Sequence, residues 1–483
     1  MKNYIFYMAL VALLTACSDN LTDLNIDPKS YSTAQPGALF LAGEKALADT
    51  YGAAKAETAP FRVLSQIWTQ YDYPYEAQYN LERNNSPLNW WKSLYTTSLI
   101  NLKQSRVQYQ KEVKDADVLR NNLAIIDILE VYNYYLLVNT YGDIPYTEAV
   151  TDNTPFPRYD DARTLTLDLI ARLDKDIEAL QQNYPQSLEV IGKSDRIYSG
   201  DALKWRKFAN TLKLKAALLI ADVEPQTAQT KALEAVSAGI FESNSDNANF
   251  LYDGATTTTS NPVWQLLGQA STVVVNIPTQ FFINTLKTYN DPRISLYFKP
   301  LSDGSYKGGI AGETNSEQYS ALSDYWLGKT LPVVLLDYAE AEFLLAEAVE
   351  RGISVGGTAE DHYNRGIKAS ILQWGGTQAV ADAYVANEPS IKYSASTNWR
   401  EKIGLQKWIA LSDRGWDAWT EIRRLGHPDI DLLSPPTGAN GNLPQRLTYP
   451  SVEVTSNPDN YKSAVSRLSG QQDVQSGVLF WKK

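Results

Sequence analysis

The chain of 483 residues carries 44 Lys and Arg against 55 Asp and Glu, a formal charge of −11 without any basic run, so it has no nucleic-acid footprint. One cysteine excludes an intrachain disulfide and a cysteine-built zinc site, and two histidines, His362 and His427, exclude a multi-histidine metal centre. At 44% hydrophobic and 20% charged residues the composition is that of a globular chain. Its 30 Tyr and 12 Trp supply rings that are apolar on the face and polar at the edge.

Residues 1–17 read MKNYIFYMALVALLTAC. Lys2 precedes an apolar run, Tyr4 to Leu14, that has the length of a signal h-region and is too short to span a bilayer as a helix. It ends in Leu14-Thr15-Ala16-Cys17, which resembles the lipobox of bacterial lipoproteins. That resemblance implies cleavage before Cys17 and lipidation of this sole cysteine. The expected organisation is therefore a signal peptide at 1–16, a lipidated polar tether at 17–35 and a binding domain at 36–483. No later stretch approaches the ~18 consecutive apolar residues of a membrane-spanning helix, so a lipid anchor is the expected attachment to the membrane.

Along the mature chain, residues 36–59 are Ala- and Leu-rich and helical in character. The next stretch, 68–91, has two prolines among seven Trp and Tyr and breaks the helical pattern. Two helical segments fill 92 to about 140, the second with Leu123, Ile126, Leu129, Tyr132 and Leu136 at helical spacing, and Tyr141-Gly142 stops it. A further period runs through 163–182. Asp201 reads as the N-cap of a helix through Trp205 and Leu218, and Thr227–Gly239 as a short helix. Residues 241–333 are rich in Asn, Ser, Thr and Gly and predict loops and short strands, with a brief helix around Pro278–Leu286. Helix returns at 333–350, 359–373 and 398–424, and the last sixty residues read as irregular. The fold class is mostly α, a tetratricopeptide-like scaffold of helical hairpins with few short strands and a loop-rich insertion at about 241–333.

Several segments in order resemble one family. Asp23-Leu24-Asn25 after Cys17, Tyr141-Gly142-Asp143-Ile144-Pro145-Tyr146, Tyr338-Ala339-Glu340 with Ala346-Glu347-Ala348, Gln406-Lys407-Trp408, and Trp419-Thr420-Glu421-Ile422-Arg423-Arg424 resemble motifs of SusD/RagB-type outer-membrane lipoproteins, in the SusD-like branch. Pro444-Gln445-Arg446-Leu447-Thr448-Tyr449-Pro450 and Phe480-Trp481 are similar to its closing motifs. Asp337 departs from the Arg common at that place, which bears on the local ion pairing of its helix. The resemblance implies a cell-surface binding protein and not an enzyme. Such proteins take oligosaccharides, or in some cases peptides, and pass them to a SusC-like TonB-dependent transporter. The missing catalytic spacings and the two scattered histidines predict no cofactor and no required metal.

The site is expected where Trp and Tyr stand beside Asn and Asp on loops, in 68–85 and 256–330, because ring faces suit sugar C–H surfaces and amides suit hydroxyls. Trp68, Tyr73, Tyr75, Trp264 and Trp326 lead, Trp264 first, while Trp90 and Trp91 run into a helix and read as core. Arg423 and Arg424 read as a helix terminus that could pair with Glu340 or Glu347, His427 as a turn residue and His362 as a solvent-facing helical one. No G-x-S-x-G, H-E-x-x-H, P-loop or EF-hand spacing occurs. Two competing readings remain open from residues alone. A glycoside hydrolase needs only two carboxylates ~5–9.5 Å apart in an aromatic cleft, and a purely structural lid needs no ligand.

Overall fold

The computed structural model describes residues 34–151, 154–180, 191–268 and 275–482; the expected signal peptide, Cys17 and almost all of the tether lie outside them. Eight helices build the scaffold as four consecutive pairs: α1 (Pro36–Tyr51) with α2 (Ile100–Glu112), α3 (Ala116–Tyr141) with α4 (Ala162–Ala179), α5 (Ala202–Leu219) with α6 (Pro225–Ala238), and α7 (Tyr338–Glu350) with α8 (Ala359–Gln373). Neighbouring pairs touch through α2 and α3, α4 and α5, and α5 and α7. Two more helices, α9 (Trp399–Ala410) and α10 (Gly415–Leu425), pack against each other, and α9 also packs on α7. This is the hairpin array that the helical periods predicted.

The helix starts follow from side chains that accept otherwise unpaired N–H groups. Asp115 caps α3, Asp161 caps α4, Asp201 caps α5 as its position predicted, and Asp337 caps α7 by accepting from the Glu340 N–H at 2.7 Å. Asp337 thus supplies both a cap and an ion-pair partner for Arg414 at 3.3 Å. Gly142 ends α3 at φ +91°, ψ −128°, a conformation that a Cβ disfavours. The segment 398–424, read as one run, is two helices broken at 411–414, and the last sixty residues, read as irregular, include helices Ser451–Ser456 and Pro458–Arg467. Polar residues dominate both of those short helices, so no apolar period announces them.

There are three antiparallel two-stranded sheets among the described residues, two of which, with local turns, hold the insertion. β1 (Trp68–Gln70) pairs with β5 (Asn276–Pro278), β2 (Ile144–Pro145) with β3 (Tyr159–Asp160), and β4 (Asn249–Phe250) with β6 (Val333–Val334). The brief helix expected near 278–286 lies at Gln280–Thr288.

The resembling motifs are buried scaffold. Glu340 takes Lys215 and Arg414, Lys407 reaches Glu421 at 3.1 Å, and Arg424 binds both Glu347 and Glu421. Arg424 therefore meets the Glu347 partner expected for it. Arg423 instead lies on the Trp419 ring, 3.3 Å from its centroid, and donates to the Gln445 and Asn139 carbonyls. In the closing segment, Arg446 Nε donates to the Tyr141 carbonyl at 3.0 Å and the Tyr449 hydroxyl to the Asp143 carbonyl at 2.9 Å, seating the C-terminal region on the corner after α3. His362 is buried, not solvent-facing: its Nδ1 lies 2.6 Å from Glu342 and its Nε2 2.8 Å from the Gly356 carbonyl.

Candidate functional site

The aromatic loop after β1 is fixed by polar side chains. Glu76, fully buried, accepts from the Gln70 amide at 2.6 Å and the Asn84 amide at 2.8 Å, while Gln70 Oε1 accepts from the Ala77 N–H. Between these anchors the chain turns sharply at Tyr73, whose φ is +52°, and the Tyr75 N–H closes on the Tyr73 carbonyl at 2.7 Å. A left-handed tyrosine costs energy that the surrounding anchors must offset. Its consequence is an outward ring: Tyr73 is 72% exposed, offset-stacked on half-buried Tyr75 with centroids 6.3 Å apart, and Arg83 lies 5.2 Å from the Tyr75 centroid.

Asn315 ties this loop to the 301–327 segment. Its backbone N–H donates to the Tyr71 carbonyl at 2.8 Å, and its amide to the Gln70 carbonyl at 3.2 Å. A cleft of about 400 Å³ lies between β5 and that segment, bounded among others by Tyr71, Leu267, Leu301, Tyr319 and Leu327. This volume is in the range of small-ligand pockets. Tyr71 and Tyr319 meet edge to face at 6.4 Å, and Lys307 sits 5.7 Å from the Tyr319 centroid. Burial, then Glu317, pushes the Tyr319 phenol above its ordinary range, so at neutral pH it is an uncharged hydroxyl able to donate and accept.

Trp264 stands in the same turn as the cleft-lining Leu267. Asn261 fixes the start of that turn: its Oδ1 accepts from the Val263 N–H at 2.7 Å and its amide donates to the Leu331 carbonyl at 2.9 Å. The Asn261 N–H also donates to the Lys329 carbonyl, and Lys329 Nζ lies 4.7 Å from the half-buried Trp264 ring. Gly268 packs directly on this indole; a Cβ there would come 2.2 Å from Trp264 Cδ1.

Of the five rings singled out in the sequence, Tyr73, Tyr75 and Trp264 retain accessible surface on these loops. Trp68 and Trp326 do not present open faces. Both are 1% exposed, because β1 pairing carries Trp68 inward against Trp326, with centroids 5.3 Å apart, while Arg62 covers Trp68 and Trp374 backs Trp326 at 4.8 Å. Trp90 and Trp91 are core rings, as expected. Tyr319 was not singled out: it stands alone among Ser, Glu and Gln, and only the fold brings it to Tyr71.

A family model described as starch-binding associating with outer membrane matches residues 28–450, most of the chain. The chain belongs to the SusD-like family. Among solved structures, a SusD-like protein from Bacteroides thetaiotaomicron is 27% identical, with 92% of this chain and 98% of that one covered at a TM-score of 0.76. A chitin-binding protein is 26% identical over 93% of this chain and 100% of that one, with a TM-score of 0.78. A chitin-binding SusD homologue from Flavobacterium johnsoniae shares the fold at 23% identity and a TM-score of 0.78, over 93% of this chain and 98% of its own. No curated protein matches the sequence. The SusD-like fold is tetratricopeptide-like and helical, in agreement with the four helix pairs. The family associates with the outer membrane, and among the described residues no helix is long and apolar enough to cross a membrane.

Proposed function

We propose that this SusD-like chain is a lipid-anchored protein of the outer cell surface that captures oligosaccharides without cleaving them and delivers them to a SusC-like TonB-dependent transporter. In this reading 1–16 is removed as a signal peptide, 17–35 is the lipidated tether and 36–483 the binding domain. The observation that carries capture is the 72% exposed Tyr73 face on its Tyr75 support, in the same loop as Tyr71, which lines a cleft together with Leu267 of the Trp264 turn. Such a surface offers apolar planes to sugar C–H groups, with tyrosine hydroxyls, Arg83 and Lys329 for hydroxyl oxygens. The relatives named chitin-binding support a glycan ligand. Incubation of the purified chain with starch and chitin oligosaccharides should deplete ligand without releasing shorter products. Product release abolished by a single Asp or Glu substitution would identify a hydrolase instead.

A further inference from the structure

The cleft of about 400 Å³ between β5 and the 301–327 segment has walls fixed by the protein's own hydrogen bonds. On one side the Lys299 N–H donates to the Ala321 carbonyl at 2.8 Å, the Ser323 N–H to the Tyr297 carbonyl at 2.9 Å and the Ser320 N–H to the Lys307 carbonyl at 2.9 Å. The Lys307 N–H donates in return to Ser320 Oγ at 3.0 Å. On the other side β5 pairs with β1, and the Tyr71 N–H extends that pairing to the Val275 carbonyl at 2.9 Å.

What these walls offer a guest is chiefly aliphatic. Leu267, Val275, Leu301 and Leu327 line the cleft and are only half-buried, so each keeps accessible surface. Ile277 and Leu322 line it as buried side chains. Among the described residues of the lining only Glu317 is charged, and it is ion-paired with Lys307. Asn276 spends its amide on the Ala54 carbonyl at 2.8 Å. The hydroxyls of half-buried Tyr71 and Tyr319, in contrast, have no protein partner among the described residues.

This chemistry discriminates between guests. Water finds no partner on leucine and valine surfaces, and loosely held water is displaced to advantage by an apolar group. A bare pyranose gains little there. Branched aliphatic side chains present no flat plane for stacking, and hydroxyls turned towards them give up water without replacement. A carboxylate, sulfate or amine would be desolvated beside charges already committed to each other. A small acyl group suits the walls on both counts, its methyl meeting aliphatic side chains and its carbonyl accepting from a tyrosine hydroxyl. The cleft also shares its segments with the proposed glycan surface: Tyr71 precedes exposed Tyr73 by two residues, and Leu267 follows Trp264 by three.

We infer that this cleft selects acetylated glycans, seating one neutral sugar unit with its N- or O-acetyl methyl against Leu267, Leu301 and Leu327 and its acyl carbonyl on the Tyr319 hydroxyl. The inference rests on the capture reading above and narrows it, since an unsubstituted glycan of the same backbone must bind more weakly.

The test is calorimetric titration of the intact chain with two matched pairs. Chitohexaose and cellohexaose differ only in the 2-acetamido group, and O-acetylated xylohexaose is compared with the same material after alkaline deacetylation. Maltohexaose serves as an unsubstituted reference. In at least one pair the acetylated member should bind about tenfold tighter, and the pair that shows it tells N-acetyl from O-acetyl recognition. Leu301 is half-buried at a surface turn whose backbone closes on Ser305 at 2.8 Å, which makes it the side chain to change. Leu301→Ser should collapse the ratio towards one, Leu301→Met should retain it, and Tyr73→Ala should weaken both members alike, with melting temperatures recorded for each. The ratios of the native chain decide the matter even if Leu301→Ser folds poorly. Equal or inverted affinities in both pairs, binding of maltohexaose alone, or a ratio unchanged in folded Leu301→Ser would overturn the inference and leave glycan capture standing. Binding of none of the five glycans would overturn the capture reading and this inference with it.

Discussion

Tyr73 and Trp68 are five residues apart in one aromatic segment and have opposite fates. Trp68→Ala removes a ring held between Arg62 and Trp326 and should cost about 3–5 kcal/mol of stability, the usual outcome for a large buried aromatic. Tyr73→Ala removes a ring 72% exposed and should change stability by no more than about 0.5 kcal/mol while weakening glycan binding. Thermal unfolding and ligand titration on both variants read the two effects apart. The segment's aromatic richness is visible in the sequence, but the side each ring faces is not. Trp68 pairs with Pro278, and that long-range register carries it inward. Tyr73 points outward because its φ of +52° reverses the chain, a choice enforced by Glu76 and its amide partners and not by the tyrosine itself.

At the scale of elements, α5, α7, α9 and α10 are locked by charges removed from water. Lys215 lies 2.5 Å from Asp417 and 3.1 Å from Glu340, both fully buried, and Arg424 is shared by Glu347 and Glu421. Breaking such a buried pair leaves an uncompensated charge, so Glu347→Gln should destabilise by about 3–5 kcal/mol. Burial opposes ionisation of Glu347, but Arg424, with Arg351 and Lys407 behind it, outweighs burial and lowers its pKa from 4.5 to about 2. A folded-state value below the unfolded one means the carboxylate stabilises the fold above pH 4.5, and this contribution is lost as pH falls towards about 2. The share of acid sensitivity that Glu347 carries should accordingly fall in that window when unfolding is followed by circular dichroism, and Glu347→Gln should flatten the dependence there. These helices are legible in the sequence because caps and apolar periods are local signals. The insertion is not, since its shape rests on side chain to backbone bonds such as Asn315 to Gln70 and Asn261 to Leu331 that no periodicity encodes. His362 is hidden from a sequence reading for a similar reason, its helix carrying charge on both sides of it while Glu342 holds the ring inward.

For the whole molecule, the motifs that tie the chain to its family hold the scaffold together, and the surface proposed for glycans lies in segments free of those motifs. Family and fold could therefore be read from the sequence while the ligand could not. The proposed anchor is independent of both, and Cys17→Ala should release the protein from the membrane fraction and abolish lipid labelling while leaving glycan binding intact. The most direct test of the central claim is a glycan array probed with the mature chain and with the Tyr73→Ala/Trp264→Ala double variant, melting temperatures being measured alongside. The expected result is selective binding of one glycan class by the native chain, lost in a double variant that stays folded, its melting temperature lowered only by the loss of half-buried Trp264. Equal binding by both proteins, or no binding by the native chain to any glycan on the array, would contradict it.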